Sequence, residues 1–137
     1  MNYPVILTEE KEGGFSASFP DIPEAFACGE TREDTLEDAL DALVTAFEFY
    51  FEDEQAIPLP SSTTSDDYVE VPANTWLKVL LLNSMVEQSV KRSELARRIN
   101  VKKQNIKYML DLRHETKLST IEQAVRALGK RIQISLA

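Results

Sequence analysis

Acidic and basic residues are divided sharply between the two halves of this 137-residue chain. Residues 1–72 contain 18 Asp and Glu against only Lys11 and Arg32, which gives a net charge of −16. Residues 73–137 contain 13 Lys and Arg against five acidic residues, which gives a net charge of +8. A chain of this length can bury one ordinary core or two small ones. Because such a split is typical of modules whose partners have opposite charge, we predict one domain over residues 1–72 and another over residues 73–137.

The acidic half has the pattern of a small sheet with one helix. Gly13-Gly14 supplies a turn, and Thr31 is a predicted N-cap followed by acidic residues in the first helical turns. Apolar residues then recur at helical spacing at Leu36, Leu40, Leu43 and Phe47. Four segments are β-prone or alternate between apolar and polar residues, namely 3–8, 15–19, 25–29 and 68–71. We therefore predict an amphipathic helix laid on these strands, with a loop over residues 58–65 and a domain boundary near Pro72.

The basic half has the pattern of four helices followed by a strand. Residues 76–86 are apolar enough for a support helix that is buried on more than one side. Ser119 to Glu122 matches a capping box for the last helix, and Gly129 is its predicted stop. Residues 131–136 alternate as in a half-buried strand. The fold class predicted for the whole chain is therefore α+β.

Residues 93–110 combine the features of a helix-turn-helix motif. Ala96 is small enough for close helix contact, and Asn100 tolerates the positive φ of the turn in place of the usual glycine. In such a motif the second helix places its first residues against base edges, while flanking cations contact phosphates. The predicted DNA-reading residues are Lys102, Lys103, Gln104, Asn105 and Lys107, and the predicted phosphate contacts are Lys91, Arg92, Arg97 and Arg98. A solvated basic face on an ordinary helical bundle is the alternative.

The predicted C-terminal strand needs a neighbour for its backbone donors and acceptors. Its apolar face consists of Ile132, Ile134 and Leu136. The segment between residues 73 and 130 has no second convincing strand pattern, so we predict that two copies of the strand pair and make a homodimer or a higher oligomer. Docking of the strand on the N-terminal sheet of its own chain is the alternative.

Several motifs in a fixed order resemble the HicB antitoxins of bacterial HicA and HicB toxin-antitoxin pairs. The resemblance spans the chain, and among the segments that carry it are Glu12 to Phe15, Phe19 to Pro23, Ile57 to Ser61 and Leu95 to Ile99. The Asp-Ile-Pro element at residues 21–23 and the Ile-Pro-Leu-Pro element at residues 57–60 are the specific ones, whereas the Leu-Ala-Arg-Arg element alone would be generic. It implies an N-terminal domain similar to a partial RNase H fold without catalysis, followed by an all-α domain of the lambda-repressor type. It also implies binding and neutralisation of a HicA-like toxin, a small basic protein that cleaves mRNA, and autorepression through operator DNA.

Two other classes of function remain open from the residues alone. A metal-dependent nuclease would need Asp21, Glu48, Asp53 and Asp66 to converge on metal ions. A ligand-sensing transcriptional regulator would need a pocket in the N-terminal domain. The lone Cys28 and the lone His114 provide neither a disulfide nor a zinc cluster. Acidic residues on a helix surface are usually solvated, and we predict no metal, no cofactor and no catalytic residue. The chain has no long apolar run and no signal-peptide pattern, so we expect a cytoplasmic protein without a membrane segment.

Overall fold

The computed structural model describes residues 1–62 and 64–137, and Thr63, in the predicted loop over residues 58–65, lies outside the described residues. The elements follow the chain as β1 (Asn2–Glu9), β2 (Phe15–Ser18), β3 (Phe26–Gly29), α1 (Arg32–Glu52), β4 (Asp67–Glu70), α2 (Ala73–Gln88), α3 (Arg92–Arg98), α4 (Lys103–Met109) and α5 (Leu118–Ala127). The predicted α+β class is confirmed. Within the described ranges, no helix is long and apolar enough to cross a membrane.

The four strands form one antiparallel sheet in the order β3-β2-β1-β4. The predicted turn at Gly13 and Gly14 joins β1 and β2 into an antiparallel hairpin, in which Leu7 lies opposite Ala17. Its turn requires glycine at position 14, where φ is +81° and an added Cβ would lie 2.7 Å from the carbonyl oxygen of Gly29. The third and fourth predicted strands are also present, and β4 pairs with β1 at the other edge of the sheet.

Helix α1 begins where the sequence predicts and packs across one face of the sheet. The Thr31 hydroxyl oxygen accepts a hydrogen bond from the backbone N–H of Asp34 at 3.1 Å, which confirms the N-cap. Leu43 and Phe47 are fully buried against the strands, as predicted. Leu36 and Leu40, which were expected on the same buried stripe, are only half-buried because the helix turns its Ala39 side more directly towards the sheet.

Helix α2 connects the two predicted domains. The Trp76 ring meets the Tyr3 ring edge-on with 6.1 Å between centroids. Further along α2, the Asn83 side chain makes two hydrogen bonds to the backbone of Ile57. The Asn83 amide oxygen accepts from the Ile57 N–H at 2.8 Å, and the Asn83 amide nitrogen donates to the Ile57 carbonyl at 3.0 Å. The same helix packs against α5, so one continuous apolar core includes residues from both halves of the chain. The support helix is therefore buried on more than one side, as predicted, and it begins directly after Pro72.

The predicted capping box is wrong, although the helix it introduces is present. Helix α5 begins at Leu118 with Lys117 at the N-cap and no side-chain capping bond, so Ser119 lies inside the first turn. The Asn74 side chain holds the preceding residue Thr116 by both backbone groups, and this tertiary contact sets the start of the helix. The other end is confirmed: Gly129 has a φ of +76°, and its N–H and that of Lys130 bond back into the last turn.

The predicted C-terminal strand does not form within the single chain. Residues 131–137 have neither helical nor strand structure, and within the described part of the chain no backbone hydrogen bond pairs them with another segment. Ile134 is 72% exposed and Leu136 is 97% exposed. The alternative in which this segment docks on the sheet of its own chain is therefore wrong, and pairing between two chains stays a prediction.

Candidate nucleic-acid interface

Helices α3 and α4 are joined by a tight connection that the sequence anticipates. Asn100 has a φ of +54°, the positive value predicted for the turn. The following N–H, that of Val101, donates to the carbonyl of Ala96 at 3.0 Å and closes the turn. Leu95 and Ile106 are fully buried on the inward sides of the two helices. The predicted helices and turn are confirmed, and the opposite side of α4 is consequently left to solvent.

The outward side of α4 is basic and exposed. All five predicted DNA-reading residues are exposed, namely Lys102, Lys103, Gln104, Asn105 and Lys107. Lys103, Gln104 and Lys107 line a shallow depression of about 260 Å³ together with Arg92 from the start of α3. The Arg92 guanidinium also donates to the Phe51 carbonyl at 3.0 Å, so the end of α1 orients it. The structure therefore brings together four of the predicted side chains on one face.

Arg97 and Arg98 are held in a separate ion-pair network on α3. Both guanidinium groups bond the Glu94 carboxylate, and these bonds, first that of Arg97 and then that of Arg98, lower the pKa of Glu94. Arg98 also donates to the Ala127 carbonyl at 3.2 Å and thereby ties α3 to α5. Neither residue lines the depression formed by α4 and Arg92. Arg97 and Arg98 thus take part in contacts within the fold, and both remain exposed, so their contact with phosphate stays a prediction.

Lys91 is also engaged by the acidic half of the chain. Its ammonium group lies 3.0 Å from a Glu54 carboxylate oxygen just beyond the end of α1. Hydrogen bonding to Lys91 lowers the pKa of Glu54. Together with the bond from Arg92 to Phe51, this contact fixes the start of α3 against α1. The orientation of the basic face therefore depends on the N-terminal half.

The loop between α4 and α5 is held from two sides by cations that sequence reasoning missed. Lys78 of α2 is only 1% exposed and donates to the backbone carbonyls of Asp111, at 2.7 Å, and His114. Burial lowers the pKa of its ammonium group. A lone lysine inside the apolar run of residues 76–86 was the signal available in the sequence. Because a buried charge needs partners, that lysine could have been assigned to carbonyl groups in advance.

Arg113 on the same loop reaches back to α1. Its guanidinium group donates to Asp41 at 2.9 Å, Glu48 at 3.1 Å and the Thr45 hydroxyl at 3.0 Å. The hydrogen bond to Asp41 is the main cause of the raised pKa of Arg113. No local pattern in the sequence predicts this contact, because its partners lie about 70 positions away. Lys78 and Arg113 together connect α1, α2 and the end of α4.

Replacing Lys78 by Met should lower the free energy of unfolding by about 1–3 kcal/mol, because two partly buried carbonyl groups lose their donor. Methionine keeps much of the side-chain volume, so the change tests the hydrogen bonds more than the packing. Urea denaturation followed by circular dichroism measures the effect. The matched control is Lys117→Met, at an exposed position. An unchanged unfolding midpoint in Lys78→Met would show that the lysine does not hold the loop.

Two of the four carboxylates considered for a nuclease site have other partners within the fold. Asp21 accepts a hydrogen bond from the Ser61 N–H at 3.0 Å, and Glu48 pairs with Arg113. Over residues 1–62 and 64–137, no group of three or more His, Cys, Asp or Glu side chains is arranged to hold a metal ion. The convergence that a two-metal mechanism requires is therefore missing from the part of the chain that the structure describes.

Comparison with known proteins identifies the family. Residues 2–80 match the family described as the HicB-like antitoxin of bacterial toxin-antitoxin systems. This chain belongs to the HicB-like antitoxin family. The family match covers the sheet, α1 and the first half of α2, and the resemblance expected from the sequence motifs is confirmed.

Full-length relatives extend the match through the basic half of this HicB-like chain. Antitoxin HicB 1 of Photorhabdus laumondii is 50% identical over 136 residues, which cover 99% of this chain and 87% of the relative. Antitoxin HicB of Escherichia coli K12 is 49% identical over 135 residues, which cover 98% of each chain. A chain of the solved HicA3 and HicB3 toxin-antitoxin complex is 26% identical, with a TM-score of 0.45, and the match covers 53% of this chain and 99% of that one.

Proposed function

We propose that this chain is an antitoxin with two partners: it binds and neutralises a small basic mRNA-cleaving toxin of the HicA kind, and it represses its own operon. The observation that carries this proposal is the near-complete coverage by relatives named Antitoxin HicB at 49–50% identity. In this proposal, residues 1–72 are a toxin-binding domain of the partial RNase H type. Residues 73–137 are a lambda-repressor-like domain for DNA binding and dimerisation.

The charge of the N-terminal half supports a basic protein partner. Its net charge of −16, from 18 acidic and two basic residues, attracts cations over several ångströms and speeds encounter with a basic protein. Arg32 is one of those two basic residues, and it is already paired with Asp67. Because solution ions screen such attraction, the rate of toxin association should fall as salt concentration rises.

The geometry of α3 and α4 supports DNA as the second partner. In a helix-turn-helix, the first residues of the second helix face the major groove, where Gln pairs with adenine and Lys reaches guanine. Lys103 and Gln104 occupy these positions on α4 and are exposed. Arg92 and Lys107 border the same depression and are placed to contact phosphates. Since an mRNA-cleaving toxin and an operator are both found in the cytoplasm, we propose that the antitoxin acts there.

The toxin part of the proposal is tested by co-expression of this chain with a HicA-like toxin. The toxin should be captured with the affinity-tagged full-length chain and should co-elute with it in gel filtration. The affinity of the complex should fall as salt is added. Cytochrome c, a basic protein of unrelated fold, serves as the charge control and should elute separately. Failure to retain the toxin, or equal retention of cytochrome c, would contradict the proposal.

A further inference from the structure

The four-stranded sheet has one covered face and one open face. Alternate residues point towards α1 and are buried, among them Val5, Ala17 and Ala27. The intervening residues point the other way. Of these, Ile6 is 50% exposed and Phe26 is 63% exposed. A sheet of this kind normally leaves a polar face to water, so two large apolar side chains there are unusual.

The strand register places these side chains in one row. Ile6 of β1 lies opposite Ser18 of β2, and Ser18 lies opposite Phe26 of β3. Neighbouring strands are separated by close to 5 Å, so Ile6 and Phe26 stand about 10 Å apart with a small hydroxyl between them. In this row a small residue lies between two large apolar ones, and we call the space above Ser18 the notch. Tyr68, 45% exposed, continues the apolar surface towards β4.

Carboxylates border this surface on both sides. The Glu10 carboxylate accepts a hydrogen bond from the Ser16 hydroxyl at 2.7 Å, which places it beside the next row of the open face. At the other end, Glu70 lies opposite Asn2 on the same face. An apolar centre with a charged rim is the usual composition of a protein interface. An acidic rim fits a basic partner and opposes nucleic acid.

The same charges argue against a second copy of this chain as the occupant. Two such faces brought together would oppose Glu10 and Glu70 with like charges, and each N-terminal half already has a net charge of −16, from 18 acidic and two basic residues. The exposed side of α1 is a weaker candidate for the toxin, since Asp41 and Glu48 are paired with Arg113 of the same chain. The open sheet face combines apolar area with available acidic groups.

We infer that the open face of the sheet, with Ile6 and Phe26 around Ser18, is the surface that docks the basic toxin. This inference rests on the proposed antitoxin function and adds the site of contact. The toxin would insert a side chain into the notch and place cationic groups against Glu10 and Glu70. Exclusion of water around such a central contact concentrates binding energy in a few residues.

The test compares Phe26→Ser with Phe49→Ser in the full-length chain by calorimetric titration of the HicA-like toxin. Both phenylalanines are exposed to a similar degree, 63% and 60%, but Phe49 lies on α1 and not on the sheet. We expect Phe26→Ser to weaken toxin binding roughly 30-fold or more, as loss of a central contact does. Phe49→Ser should bind like the wild type. Ser18→Arg, which puts a cation in the notch, should weaken binding independently, even if Phe26→Ser folds poorly.

The possible results distinguish an error in the docking site from an error in the proposed antitoxin function. If the wild-type chain binds the toxin and neither Phe26→Ser nor Ser18→Arg weakens it, the docking site is wrong while the antitoxin function stands. If the wild-type chain does not bind the toxin, both are wrong. If the two changes dissolve a dimer of the free chain and leave toxin affinity unchanged, the face is occupied by a second copy and the inference is overturned.

Discussion

A chain in which Lys103 and Gln104 are both replaced by Ala should lose specific operator binding and keep toxin neutralisation. Each good base contact contributes about 1–3 kcal/mol, so the pair should cost roughly 2–6 kcal/mol, about 30-fold to more than 10,000-fold in operator affinity. Both side chains are exposed at the start of α4, and neither is bonded within the fold among the interactions of the described residues. Their removal should therefore leave stability unchanged.

Fluorescence anisotropy with labelled operator DNA and with a scrambled duplex measures this loss. The matched control is Lys11→Ala with Gln55→Ala, which changes the same residue types at exposed positions of the acidic half. The control should bind operator like the wild type. Operator affinity retained by the Lys103 and Gln104 variant would show that another surface reads the DNA.

Ile134→Lys should convert the antitoxin to a form that no longer dimerises through its C-terminal segment and binds its operator weakly. In the single chain this segment has no strand partner, and Ile134 is 72% exposed. Pairing of residues 131–136 across a twofold axis would satisfy the backbone and bury the apolar face. It would also place two copies of α4 about one DNA turn, roughly 34 Å, apart. Losing the second half-site should reduce operator affinity roughly 10²- to 10⁴-fold.

Gln133→Lys is the matched control, because it adds the same charge to the neighbouring residue on the opposite side of the strand. Sedimentation velocity should show that Gln133→Lys remains a dimer while Ile134→Lys shifts towards the monomer. The interpretation is contradicted by an Ile134→Lys chain that remains dimeric and binds operator tightly.

Local sequence signals were sufficient for most of the fold. The glycine turn at Gly13 and Gly14, the alternating strands and the Thr31 cap are determined by backbone preference and short-range hydrogen bonds. The turn at Asn100 belongs to the same class, since a positive φ selects few residue types. The outward face of α4 followed from helical periodicity alone.

The features that were missed depend on contacts between distant residues. Helix α5 begins at Leu118 because Asn74 holds Thr116, a contact across 42 positions. The capping-box pattern covers only residues 119–122 and does not include Asn74. Likewise, the bonds of Arg98 to Glu94 and to the Ala127 carbonyl did not follow from the sequence pattern, and its predicted contact with phosphate stays a prediction. Charge and spacing place a cation on a helix, whereas tertiary partners decide whether it is available.

The most direct test of the account is the rate at which the purified HicA-like toxin cleaves mRNA as the full-length chain is added. The account predicts that cleavage stops at a fixed molar ratio, and that the Lys103→Ala, Gln104→Ala variant reaches the same endpoint because toxin and DNA use different faces. Undiminished cleavage in the presence of excess wild-type chain would contradict the antitoxin function. Loss of inhibition in the double variant alone would contradict the separation of the two faces.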